Sequence, residues 1–369
     1  MNTEQIPARL IPPGEILKFE LEARGWDQKD LAEIIKRPEQ VISEIINGKK
    51  GITPETAIQL GHAFGTSAEF WFNLDRNYRL WEARKAEKSG SITIRSQLYS
   101  LAPVAELKKI GWIPKTNDVE TLKKSIFDLL EINSFNEMPS CHVNLRCFNP
   151  GGLNQNSQIA WLKRVEYLVR DQKVKNFNPS AMDDCIHRLL ELSACVEDTV
   201  KIPGVLFKYG IKFAIVPHLQ KTHIDGASFW VNGTPVVALT QRFDRVDYFW
   251  FTLMHEIAHI KLGHKAGQLD TLFAANQAPG IIGKQELEAN KLAQNWLVDP
   301  KAYSRFLTAS KPPFSKKEII SLASAMRRHP GIIVGRLQYD GLVNWGSFRG
   351  FLAKVSPYTH DLVDRPIAA

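Results

Sequence analysis

The sequence predicts a mainly α protein with a small sheet. An N-terminal five-helix helix-turn-helix domain comes first, then a helical connector, then an α+β domain built round an HExxH helix. Three observations carry this. Capped, helically spaced apolar residues run through the first 80 positions. An Asn-Gly pair sits inside the strand-like segment 227–239. A segment at 245–262, apolar on most sides, carries His255, Glu256 and His259. The divisions fall at 1–86, 87–200 and 201–369, since 369 residues exceed what one core usually organises.

In the first part, Leu17, Leu21 and Trp26 give helix one its stripe. Asp27 suits the N-cap of a second helix carrying Leu31, Ile34 and Ile35, which Arg37-Pro38 breaks after Lys36. A third helix, about 38–47, spaces Val41, Ile42, Ile45 and Ile46 helically and stops at Asn47-Gly48. Thr53 caps the fourth, with Pro54 in its first position; Ser67 caps the fifth, which carries Phe70, Trp71 and Leu74.

Helix, tight turn, helix is the plan that lays its second helix in the major groove of DNA. Removing the apolar positions of helix three leaves Glu39, Gln40, Ser43, Glu44 and Asn47 facing outward. Gln40 suits a bidentate contact to adenine, and Ser43 a base or a phosphate. Gln28, Lys49 and Lys50 suit phosphates, which position a protein without specifying sequence. The blocks "PGEIL", "ISEIINGKKGIT" and "TAIQLGHAFGTSAEFWFNL" resemble HigA-type antitoxins of the phage-repressor-like (XRE) helix-turn-helix class over residues 10–80. That resemblance implies a homodimer on a palindromic double-stranded operator and, in antitoxins, a cognate toxin as partner.

The charged, then Gly/Ser-containing "EARKAEKSGS" marks a domain edge. The connector reads as helical. Leu122, Ile126 and Leu129-Leu130 share one stripe. Ile159, Leu162, Val165-Glu166 and Val169 share another, with a basic face opposite. Net charge is +8, which suits a polyanionic partner. Cys141, Cys147, Cys185 and Cys195 fit no zinc knuckle or redox pair and read as reduced thiols of a cytoplasmic protein. No apolar run approaches the ~18 residues of a membrane span, and no secretory signal pattern opens the chain.

The third part holds a strand at 211–217 and a hairpin at 227–239 turning on Asn232-Gly233. In the helix at 245–262, His255 and His259 are four apart and project the same way. Two imidazoles so placed can hold one Zn²⁺. Glu256 falls beside the ion, where a carboxylate can take a proton from water that the metal acidifies.

A third ligand is needed. His264 is tempting, but Gly263 and His264 fall four and five after the second ligand, and HExxHxxGxxH needs three and six. His264 reads instead as a cation ending the helix. Downstream, 283–298 offers Glu286 and Glu288. On a helical wheel centred near Ala289, Leu292, Ala293 and Trp296, Glu286 lies closer to the apolar side, with Glu288 in reserve. Asn290, at i+4 from Glu286, completes ExxxN, which resembles the ExxxD of glutamate-type zinc peptidases and suits holding a ligand histidine's free N–H.

"FTLMHEIAHIKLGH" followed by "ELEANKLAQNWLVDP" resembles the ImmA/IrrE metallo-endopeptidases over about 205–340. Leu292 replaces a usual Phe, and Val298-Asp299-Pro300 a usual Met-Pro or Ile-Pro; neither touches a ligand position. The resemblance implies a metallopeptidase-like domain that cleaves a repressor or antitoxin. The alternative is an antitoxin or repressor whose peptidase-like domain senses or binds without proteolysis. His329 is a candidate for stabilising an oxyanion, although a His before Pro more often sits in a turn. The segment "LASAMRRHPGIIVGRLQYDGL" has a second helix-turn-helix look, with packing against the peptidase-like core its expected role.

Overall fold

A computed structural model describes residues 10–86, 91–140, 155–264, 268–270 and 283–367. Two compact units emerge, Met1–Ile94 and Arg95–Ala369.

The first unit holds α1 (Pro13–Arg24), α2 (Gln28–Ile34), α3 (Glu39–Ile46), α4 (Pro54–Phe64) and α5 (Ala68–Ala86). The caps are local chemistry. Asp27 Oδ1 accepts the N–H groups of Lys29 and Asp30 at 2.8 and 2.9 Å, and Asp30 returns a bond to the Asp27 N–H. Thr53 and Ser67 cap α4 and α5 through the N–H groups of Thr56 and Phe70. The second helix ends sooner than expected, at Ile34, because Lys36 already takes a left-handed φ of 53°. Leu17, Leu31, Ile42, Leu60 and Trp71 form the core, whereas Phe70 is 45% exposed. Gly14 lets α1 touch the end of α3: a Cβ there would stand 2.0 Å from the carbonyl oxygen of Ile46.

In the second unit, α6 (Ser91–Leu101), whose first residues precede the division, leads to α7 (Val104–Ile110), α8 (Val119–Leu130), α9 (Gln155–Val169), α10 (Met182–Leu192) and α11 (Ile202–Lys208). Strands β1 (Lys212–Ile215), β2 (Gly226–Val231) and β3 (Thr234–Leu239) precede α12 (Val246–Lys261) and β4 (Gln268–Asp270). Helices α13 (Lys284–Leu297), α14 (Pro300–Ala309), α15 (Lys316–Met326), α16 (Pro330–Tyr339) and α17 (Ser356–Thr359) complete it. The sheet order is β1-β3-β2-β4, with β1 parallel to β3 and the other pairs antiparallel. Asn232 and Gly233 both take positive φ, 51° and 79°, as a type I′ hairpin requires.

The expected basic face of α9 is not there. Ser157, Ile159 to Lys163, Val165, Leu168 and Val169 are buried, since α9 packs on both α8 and β1. Lys163, 3% exposed, is held between Glu131 at 2.8 Å and Glu166 at 2.9 Å. Those two carboxylates keep its ammonium charged against the opposing cost of burial. Of the cysteines, Cys185 and Cys195 are free thiols, and burial pushes Cys185 up to about 12. Cys141 and Cys147 lie outside the described residues.

Helix α12 runs through the middle of the core. Phe213, Ile215, Val237 and Leu239 of the sheet lie in one cluster with its Trp250, Leu253 and Ile257. Ala293 of α13 and Ile333 of α16 belong to the same cluster. The "GIIVG" run explains the close approach of α16. A Cβ on Gly331 would be 2.6 Å from Val246 Cγ1, and one on Gly335 2.5 Å from Asp247 Oδ2. The segment that looked like a second helix-turn-helix is α15 and α16, packed together with α16 on α12. No described helix is long and apolar enough to cross a membrane.

Candidate metal centre and helix-turn-helix face

Two elements assemble the centre. On α12, the four-residue spacing stacks His255 and His259 on one face, and their Nε2 atoms lie 2.9 Å apart. Helix α13 packs alongside and brings Glu286, whose carboxylate oxygens lie 3.2 Å from His255 Nε2 and 3.5 Å from His259 Nε2. His255 and His259 are buried, 0% and 2% exposed. One donor atom from each of the three lies within 4.8 Å of the others. These separations are close to the roughly 3.3 Å between neighbouring ligands about a tetrahedral ion with ~2.0–2.1 Å bonds. Two neutral nitrogens and one carboxylate oxygen are also a borderline-soft donor set suited to Zn²⁺, and three protein ligands leave one position open.

Glu288 is turned elsewhere, exposed and 3.9 Å from Lys284. Asn290 is half-buried on the Glu286 side of α13. The second ring nitrogen of His259 is met by His264, Nδ1 to Nδ1 at 2.9 Å, so His264 folds back onto the centre. Glu256 is 0% exposed, and its carboxylate lies against the first residue of β2. Only a glycine allows this: a Cβ on Gly226 would be 2.5 Å from Glu256 Oε1. Gly226 was not foreseen, since the requirement comes from a strand meeting a helix and leaves no local pattern.

One turn before His255, Phe251 sets its ring 6.2 Å from that imidazole, centroid to centroid, and lines a cavity of about 60 Å³. Leu297, Ile332 and Trp345 form other walls. Nearby, Arg245 grips buried Asp247 through bonds of 3.0 and 2.7 Å and reaches Gln338 at 2.8 Å, tying α12 to α16. Burial pushes the Asp247 carboxyl up despite that guanidinium. His329 is the N-cap of α16, its Nδ1 accepting the Gly331 N–H at 3.1 Å. Burial holds its imidazole below the ordinary histidine range, against weaker pulls from Glu197 and Asp247.

On the first unit, Glu39, Gln40, Asn47, Lys49 and Lys50 are exposed, and Gln28, Ser43 and Glu44 are half-buried. Part of this face is braced along the helix. Gln40 Nε2 donates to Glu44 Oε1 at 3.0 Å, and Asn47 Nδ2 to the Ser43 carbonyl at 2.8 Å. Lys50 lies 3.9 Å from Glu44, offsetting a carboxylate that phosphates would oppose.

Comparison with known proteins divides the chain in two. The Helix-turn-helix family matches residues 17–71, and the IrrE N-terminal-like domain of the M78 peptidase class matches residues 208–325. An HTH-type transcriptional regulator, YbaQ of Escherichia coli K12, is 35% identical over 85 residues, 22% of this chain and 75% of that protein. Antitoxin HigA-1 of Vibrio cholerae is 34% identical over 94 residues, 25% of this chain and 89% of that protein. The Pseudomonas aeruginosa antitoxin HigA, solved with the higBA promoter, is 39% identical, covering 21% of this chain and 86% of its own, with a TM-score of 0.21. Through its first unit the chain belongs to the HigA-like, XRE-type helix-turn-helix family, and its second unit carries an IrrE/ImmA-like domain of the M78 peptidase class.

Proposed function

We propose that the chain is a DNA-binding transcriptional regulator whose second unit is a zinc-dependent endopeptidase, hydrolysing a peptide bond in one regulatory protein, a repressor or an antitoxin. The observation that carries this is the convergence of His255, His259 and Glu286 beside a separate buried carboxylate, Glu256. A bound Zn²⁺ supplies a Lewis acid that polarises a carbonyl and lowers the pKa of water. His255, His259 and Glu286 would hold it. Glu256 would accept a proton from the water whose oxygen adds to the peptide carbonyl, and would deliver it to the amine nitrogen as the C–N bond breaks. Gly226 keeps β2 clear of that carboxylate. The cavity lined by Phe251, whose ring lies 6.2 Å from that of His255, would suit a small aliphatic side chain of the substrate.

In the first unit, Gln40 and Ser43, with Glu39 and Asn47 beside them, read base edges of an operator, while Gln28, Lys49 and Lys50 contact phosphates. The bound form is a homodimer on a double-stranded palindrome. Residues 87–200 serve as connector and support. A second reading draws on the coverage of 89% of antitoxin HigA-1. On it, the chain neutralises a cognate toxin and the peptidase-like domain only senses or binds.

Metal analysis with substitution separates the two. Purified protein should hold about one zinc per chain. Glu286→Ala should lose it and Glu288→Ala keep it. Glu256→Gln should keep the metal yet leave a co-expressed repressor uncut. Zinc-free wild-type protein from a chelator-free preparation would sink the peptidase reading. Co-purification of a small toxin with uncut partners would favour the second.

A further inference from the structure

The end of α12 is built in a way that the three donors do not explain. Leu262 is its C-cap, and Gly263 follows in the left-handed region at φ 72°. The Gly263 N–H donates to the Ile260 carbonyl at 3.1 Å and the His264 N–H to the His259 carbonyl at 3.0 Å. That pair of bonds is a Schellman motif, in which the second residue past the cap folds back over the residue three before it. That contact is frequently apolar. Here both partners are histidines, and the contact is Nδ1 to Nδ1 at 2.9 Å.

Two facing ring nitrogens can share only one proton. A histidine that gives its Nε2 lone pair to a metal while neutral must carry its proton on Nδ1. Nε2 is the atom that His259 turns toward His255 and Glu286. We propose that His264 is a positioning residue for the metal centre: its Nδ1 accepts the Nδ1–H of His259, fixing the tautomer and aim of that ligand. The helix cap and the ligand's orienting contact are then one device, and the spacing of His259, Gly263 and His264 encodes it. Gly263 supplies the backbone conformation and His264 the acceptor. Ligand histidines commonly bond a carboxylate or carbonyl through their free nitrogen, and losing that partner typically weakens metal affinity. The inference rests on the reading of the three donors as a zinc site.

The test uses full-length protein and zinc competition against a chromogenic chelator. His264→Phe keeps the ring's bulk and removes the acceptor, and affinity should fall ~10–100-fold. His264→Asn places an amide oxygen where Nδ1 stood, and affinity should return to within a few-fold of wild type. Equal losses in both variants, or a Phe variant as tight as wild type, overturn the inference and leave the three-donor reading standing. Wild-type protein that takes up no zinc overturns both. A measurement on zinc-loaded wild type needs no variant: nitrogen-15 spectra should show His259 protonated on Nδ1, with a proton slow to exchange. A His259 protonated on Nε2 refutes the assignment.

Discussion

Replacing Gly226 by alanine tests whether the Glu256 carboxylate occupies a place that the sheet cannot yield. The new Cβ would lie 2.5 Å from Glu256 Oε1 and 2.7 Å from Thr252 Cγ2. Ordinary carbon contacts begin near ~3.5 Å, so one side must retreat by about 1 Å. The strand is pinned on both edges, with Gly226 opposite Leu239 of β3 and Asp270 of β4. Thr252 is pinned too, its hydroxyl donating to the Tyr248 carbonyl at 2.9 Å. Glu256 must therefore move. Overpacking of this kind costs ~1–3 kcal/mol. In a unit of this size that lowers Tm by roughly 2–12 °C. Thermal unfolding of zinc-free Gly226→Ala, Glu256→Ala and the double variant gives the coupling. Removing the carboxylate should relieve the part of the cost that comes from Glu256, a departure from additivity above ~0.5 kcal/mol, while the Thr252 contact at 2.7 Å persists in both alanine backgrounds. On the proposed function, a ~1 Å displacement also cuts turnover about 100-fold with zinc content unchanged. Additive effects with full turnover would refute the placement of Glu256.

Gly14→Ala puts a Cβ 2.0 Å from the Ile46 carbonyl oxygen, backbone against backbone, so the first unit should lose at least ~3 kcal/mol. A circular-dichroism melt that does not shift would contradict the packing of α1 on α3. For DNA, Gln40→Ala should cost ~1–3 kcal/mol of discrimination at one base position. Lys49→Ala should weaken every sequence and reduce the salt slope by ~1, and a filter-binding salt series that changes for neither removes α3 from the groove. His329 carries a pH prediction. Its folded-state pKa lies below the ordinary ~6.5, so the unfolded chain takes up the proton first. Stability from this group is full above pH ~6.5 and is lost as pH falls from there through the depressed folded value. His329→Asn keeps a capping side chain without the titration and should flatten that loss in denaturation curves at pH 7 and 5.5. Equal pH dependence in both proteins would refute it.

What could be read from the sequence was what neighbours in sequence determine. The Asn232-Gly233 turn, the Asp27 and Thr53 caps and the stop at Asn47-Gly48 depend on a few adjacent residues, and each forms as expected. The wheel separates Glu286 from Glu288 for the same reason: two residues on a helix is about 200° of rotation. What escaped depends on distant partners. Lys163 reads as a surface cation until Glu131, 32 residues earlier, arrives beside it. Gly226 matters only once β2 meets α12. His264 fails the spacing test for a ligand and still reaches the centre, because a Schellman turn reverses the chain in a way that periodicity does not describe. His329 was weighed for chemistry, yet its position before Pro330, at the start of a helix, already carried the local signal of a cap.

The burial of the centre bears on what kind of cleavage it could perform. His255, Glu256 and His259 are 0%, 0% and 2% exposed, and among the three donors only Glu286 keeps appreciable exposure, 22% of its side chain. Among the described residues, approach is therefore from the α13 side. A folded surface loop cannot bring a carbonyl that deep, whereas an extended segment can, at ~3.3 Å per residue. The proposed activity then requires a substrate that presents or locally unfolds such a segment, and local unfolding is selective because its free energy differs from region to region of a protein. On the proposed function, operator binding by the first unit would add a second filter. A partner held on the same DNA would meet the proposed peptidase at a raised effective concentration, and a free protein would not. Depth of the site and co-localisation multiply, so a centre too buried for digestion can still be fast enough for one partner.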